Sequence, residues 1–198
     1  MANQARIDRA FSSYDPEQGV LDLSESSVNE PDVLIRVLES LCELDGLQAL
    51  ILADNPITEN GAKLIADSPN VQRLKMLNLR GACIGDDGAR HIARSKNLSG
   101  LVEINLSQNE IYNSGARHIA LSRVLTKIAK LSLCGNEIGF QGAVDLSRST
   151  NLQTLESLDL SSNRIPDKGA IYLAHSSHLV RLVELDLWNN GLRHTASR

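Results

Sequence analysis

The chain has 198 residues, 42% of them apolar and 22% charged, with a formal net charge of -4. That balance excludes disordered and fibrous classes, and the negative sign excludes whole-molecule attraction to nucleic acid or anionic lipid while leaving room for a local basic patch. Aromatic residues make up 3%, too few for a base-stacking platform or a sugar-binding cleft.

The N-terminal stretch MANQARIDRAFSSYDPE carries charges where a secretory apolar core belongs, and no apolar run approaches the length of a membrane span. Within it Ile7, Ala10, Phe11 and Tyr14 fall at helical spacing and predict a short amphipathic cap over residues 1–19. Leu21 and Leu23 in VLDLSESSV predict a first strand. The segment PDVLIRVLESLCEL, from Pro31 to Leu44, then predicts a helix with Leu34, Val37, Leu38, Leu41 and Leu44 as its apolar stripe.

From there a 27-residue period governs the chain. Leu50, Leu77, Ile104, Leu131, Leu158 and Leu185 form one column, Leu52, Leu79, Leu106, Leu133, Leu160 and Leu187 a second, and Leu47, Leu74, Leu101, Ile128, Leu155 and Leu182 a third. Asn55, Asn109, Asn136, Asn163 and Asn190 keep the same step, with one gap at Ala82. Further columns begin at Gly61, Ile65 and Ser68. Period-2 leucines make a short strand, and the apolar spacing after each Gly-Ala pair makes a helix. One such unit cannot bury its apolar side alone, so the copies must stack over residues 20–192, with parallel strands on one side and helices on the other. Strands about 4.8 Å apart and helices about 10 Å apart bend the stack, strands inward.

The pattern LxxLxLxxNxIxxxGaxxLa resembles the leucine-rich repeat, and its long period is similar to the ribonuclease-inhibitor-like class. The resemblance implies a right-handed α/β solenoid of horseshoe shape, parallel strands inside and helices outside, with all of residues 1–198 forming one domain. It also implies that the Asn column satisfies loop backbone groups of neighbouring turns, so a looser turn is expected at Ala82. After Trp188 the chain offers NNGLRHTASR, with no helix to complete the turn. A tail over residues 193–198 acting as a makeshift cap, continuation into something longer, and an end-to-end homodimer through the C-terminal edge strand are the alternatives.

No motif for catalysis or phosphate binding is present. His91, His118, Asp145 and Tyr172 share a helix column, and His175 and His178 stand at i, i+3, but neither set has the spacing of a metal site. Cys42, Cys83 and Cys134 are far apart, without CxxC spacing; neither a disulfide framework nor zinc is expected, and a reducing compartment fits. Asp159 and Asp186 are adjacent carboxylates, but an open arc gives no burial with which to tune them.

The expected function is therefore a non-catalytic module that binds a protein through its concave strand face and rim loops, with neither cofactor nor metal, nucleic acid nor membrane insertion. Arg80, Asn105, Asp159, Glu184, Asp186 and Trp188 are the candidate partner-binding residues, Trp188 as the aromatic anchor. Similar repeats occur in nuclease inhibitors, immune receptors and effectors delivered into host cells. A cytoplasmic location is expected, with delivery into a host cytosol left open, and the role of effector or adaptor goes with it. A GTPase-activating or other enzyme-regulating role, and a scaffold or sensor segment of a larger assembly, are the alternatives. On the convex side Lys63, Arg90 and Arg117 share a column near Arg94, Lys96, Arg123 and Arg148, which predicts a basic ridge.

Overall fold

The leucine columns meet residue on residue. In a computed structural model that describes residues 11–192, Leu50 pairs with Leu77, Leu77 with Ile104, Ile104 with Leu131, Leu131 with Leu158, and Leu158 with Leu185. The strands are β2 (Val20–Asp22), β3 (Ala49–Ile51), β4 (Met76–Asn78), β5 (Glu103–Asn105), β6 (Lys130–Ser132), β7 (Ser157–Asp159) and β8 (Glu184–Asp186), all parallel and each beside the next in chain order. Between them run α1 (Pro31–Ser40), α2 (Thr58–Asp67), α3 (Gly85–Arg94), α4 (Asn113–Ala120), α5 (Phe140–Ser147) and α6 (Asp167–Ala174), each against its neighbours. In each inner strand the middle residue is buried towards the helices while its flanks face away from them. Both leucine columns are fully buried through Leu160; in the last turn Leu185 and Leu187 are only partly covered.

The expected N-terminal cap is described from Phe11 onward, where Phe11 is helical. Ile7 and Ala10 lie outside the described residues. Phe11 and Tyr14 do pack against the core, but Tyr14 belongs to a strand, β1 (Tyr14–Asp15), which pairs antiparallel with β2. The sequence DPEQG explains this. Asp15 Oδ1 accepts the N–H groups of Glu17 and Gln18, and Gly19 takes a φ of +65° where a Cβ would stand 2.4 Å from the Gly46 carbonyl oxygen. Helix α1 is likewise shorter than predicted, giving way to a 3-10 turn at Leu41–Glu43 that still buries Leu41.

Two polar ladders hold the turns together. Asn136 Oδ1 accepts the N–H groups of Asn109 and Ile111 in the preceding turn, each at 3.0 Å, and its Nδ2 donates to the carbonyls of Leu106 and Leu133. Asn109, Asn163 and Asn190 repeat the arrangement in their own turns. At the Ala82 gap the Ile57 N–H has no amide to reach and donates instead to Asn55 O, two residues back across Pro56, while Thr58 takes a φ of +65°. The second ladder is the serine column: the hydroxyls of Ser95, Ser122, Ser149 and Ser176 donate to the carbonyls of Ala66, Ala93, Ala120 and Ser147, respectively. In each case this satisfies a carbonyl at or near the end of the preceding turn's helix.

Helix starts are also served by the neighbouring turn. Asp86 Oδ1 accepts the N–H groups of Tyr112 and Gly115 at the start of α4, and Asn113 Oδ1 those of Gly139 and Gly142 at the start of α5. A Cβ on Gly115 would lie 2.5 Å from Asp86 Oδ1, so the glycine column is a requirement of close packing.

Candidate functional site

The strand face turned away from the helices carries the predicted partner residues. Its central column reads Asp22, Ile51, Asn78, Asn105, Ser132, Asp159, Asp186. The Asp and Asn members all make the same local bond, in which the side-chain oxygens of Asp22, Asn78, Asn105, Asp159 and Asp186 accept the N–H two residues ahead. These Asx turns end β2, β4, β5, β7 and β8.

Those bonds leave the candidates unequally available. Asn105 is half-buried and engaged with Ser107. Asp159 is held on both oxygens, Oδ1 by the Ser161 N–H and hydroxyl and Oδ2 by the Ser132 hydroxyl, which in turn lies 2.8 Å from Ser107 Oγ. Arg80 is exposed, yet its Nε donates to Gln108 Oε1 and its guanidinium stands 3.5 Å from Asp54 Oδ2. Glu184, Asp186 and Trp188 come together at the C-terminal end, all exposed, Trp188 to 73%. Val180 and Val183 are exposed in the same turn. Ala53, Ser107 and Ser161, all three inner-face positions by spacing, are buried and offer little to a partner. Cys134 is half-buried between them.

The remaining sequence candidates do not converge. Among the described residues no three His, Cys, Asp or Glu side chains gather as a metal site. His175 Nδ1 lies 3.0 Å from its own helix carbonyl at Ile171. No described helix is long and apolar enough to cross a membrane.

On the helix side the basic ridge is not continuous. Lys63 pairs with Asp67, Arg90 with Asp87, and Arg148 lies over the Tyr172 ring, 5.5 Å from its centroid. Arg94, Lys96, Arg117 and Arg123 remain without a carboxylate partner among the described residues. Spacing alone missed this division, because the acidic partners sit three or four residues away on the same helices. It also passed over Lys127 and the serine ladder, although the serine column itself was visible.

A family model described as Leucine Rich repeat matches residues 47–66, 72–93 and 151–174. The chain is a leucine-rich-repeat protein. Those matched spans are the strand-and-helix units of three of its turns, in register with the columns above. Among solved structures, an internalin C2 from Listeria monocytogenes is similar at 22% identity, over 80% of this leucine-rich-repeat chain and 69% of its own, with a TM-score of 0.49. An internalin from the same organism is similar at 19% identity, over 87% and 53% of the respective chains, with a TM-score of 0.41. No curated protein matches significantly. Leucine-rich repeats as a class are protein-interaction modules.

Proposed function

We propose that this chain is a non-catalytic adaptor or effector of the cytoplasm that binds one protein partner through the C-terminal end of its strand face. The observation that supports this reading is the exposed group Glu184, Asp186 and Trp188. A large aromatic side chain in solvent beside two carboxylates is the composition of an interface anchor, and such anchors carry most of an interface's energy. Upstream, the strand face is engaged with itself: Asp159 and the serines close a hydrogen-bonded row that presents shape more than charge. Residues 1–198 are read as one domain, the strand face its working surface.

The experiment separates charge from fold. Asn occupies the Asp186 column natively at Asn78 and Asn105, so Asp186→Asn keeps the Asx turn and removes only the charge. Trp188→Ala keeps the backbone N–H that Asp186 accepts. Both variants are expected to melt as the unmodified chain does and to lose the partner retained from the native cell. A partner held equally well by both would refute the assignment.

One observation favours a second reading, a segment docking into a larger assembly through its open end. Val180 and Val183 are 70% and 84% exposed, and Glu184–Asp186 is the last strand of the sheet among the described residues, paired on one side with Ser157–Asp159. Two copies meeting antiparallel at that edge would bring Glu184 and Asp186 against each other, so a homodimer there is disfavoured by charge. The enzyme-regulating alternative draws no support from Arg80, whose guanidinium is occupied.

A further inference from the structure

Several cations without a carboxylate partner among the described residues are gathered in one region. Arg94 ends α3, Arg117 and His118 lie in the last turn of α4, Lys96 opens the 3-10 turn Lys96–Leu98, and Arg123 and Lys127 follow α4 outside any helix. A cavity of about 560 Å³ is lined by Arg94, Arg117, His118, Leu121, Arg123 and Val124 among others. A second, of about 460 Å³, shares Arg123 and Val124 with it and adds Lys96 and Lys127. The two form one recess across successive turns.

Helix C-termini explain part of this placement, since cations there oppose the carbonyl dipole. They do not explain Lys96, Arg123 and Lys127, which lie beyond the α-helices. Two carboxylates, Asp86 and Asp87, act on His118, but Asp87 is already paired with Arg90 and neither forms an ion pair with the gathered cations. In a molecule of net charge -4, a recess this basic is the inverse of its surroundings. The larger cavity's lining includes Leu121, 58% exposed.

We propose that this recess binds an acidic segment of a partner protein, a stretch of Asp and Glu around an apolar residue that covers Leu121 and Val124. Charge complementarity sets the sign of the occupant. The exposed Leu121 and half-buried Val124 among the cations set the class, because a bare phosphate has nothing to place on them. Nucleic acid would lack stacking partners, no aromatic residue being among those that line the two cavities. His118 faces the same recess. Burial, then Arg94 and Arg90, lower its pKa below 6.5, against the raising pull of Asp86 and Asp87; an acidic occupant adds carboxylates and raises it.

The full chain is titrated with a fluorescent peptide of mixed glutamate and leucine, with phosphatidylserine-containing vesicles, and with inorganic phosphate. Saturable peptide binding that weakens with added salt is expected. The double variant Arg117→Glu/Arg123→Glu is expected to weaken it about tenfold, two exposed attractions having become repulsions. Arg117→Gln/Arg123→Gln moves it the same way by less, and covers the case in which charge reversal disturbs folding. Lys63→Glu, which alters a cation already paired, and Asp186→Asn, on the opposite face, leave it unchanged. On the unmodified chain, peptide shifts the NMR signals of Leu121 and Val124 and raises the His118 pKa. Absence of saturable binding, equal weakening by Lys63→Glu, or tighter binding to vesicles or phosphate than to peptide would each overturn the proposal.

Discussion

Replacing Asn136 by alanine strikes the ladder at a buried point where one amide accepts two N–H groups. The side chain is 4% exposed and binds groups that have no other obvious recourse. The N–H groups of Asn109 and Ile111 both lose their acceptor. The carbonyl of Leu133 keeps a donor in Asn163 Nδ2, so its loss is the lighter one. Two buried N–H groups without partners cost about 1–3 kcal/mol each, so about 2–6 kcal/mol is expected before the turn relaxes. Asn190 is the internal control, being partly exposed and accepting one N–H, that of Ile165; Asn190→Ala is expected to cost about 1 kcal/mol. Urea unfolding followed by circular dichroism reads both. At a slope of about 2 kcal/mol/M, the midpoint of Asn136→Ala falls by about 1–3 M, and a reduced slope would signal that the turns on either side have uncoupled. Equal losses below about 1 kcal/mol for the two variants would refute the claim that buried amides hold the stack together.

Ser149→Ala removes the donor to Ala120 O and the acceptor for Leu152 N–H, and should cost about 1–3 kcal/mol in the same assay. Gly115→Ala drives a Cβ into Asp86 Oδ1 and the Ile111 methyl, with an expected loss of about 1–3 kcal/mol; Gly85→Ala, where nothing lies within 4 Å but φ is +60°, tests backbone strain apart from crowding. His118, with its pKa held below 6.5, takes up a proton later than it does in the unfolded chain. Stability is therefore lost as pH falls through 6.5 towards that lower pKa, and His118→Gln should abolish that part of the pH dependence in thermal melts.

The stacking order was legible because it depends on burial repeated at fixed spacing. Leu77 and its counterparts can reach the core in one register alone, since a slip of one residue turns them outward. The asparagine column was legible for the same reason, each amide serving one loop per turn. The response at the Ala82 gap was not, because it depends on how Asn55, Pro56 and Thr58 fold when an amide is missing. Nor was the change from ten-residue to eight-residue helices, which goes with whether the first helical column adopts a left-handed backbone, as Thr58 and Gly85 do and Tyr112 and Gly139 do not. At the candidate site, the column positions of Asp159 and Asp186 were clear, but their difference arises from Ser132 and Ser161, neighbours whose hydroxyl directions no spacing encodes. The basic ridge was seen too broadly, because ion pairing within a helix removes charge that a column count retains.

Photo-crosslinking in the native cell tests the strand-face account most directly. A photoreactive side chain replaces Trp188 in one chain and Ile171, 56% exposed on α6, in another. The account predicts a discrete protein adduct from position 188, competed by the unlabelled chain, and none from position 171. An adduct from position 171 with none from position 188 would contradict it.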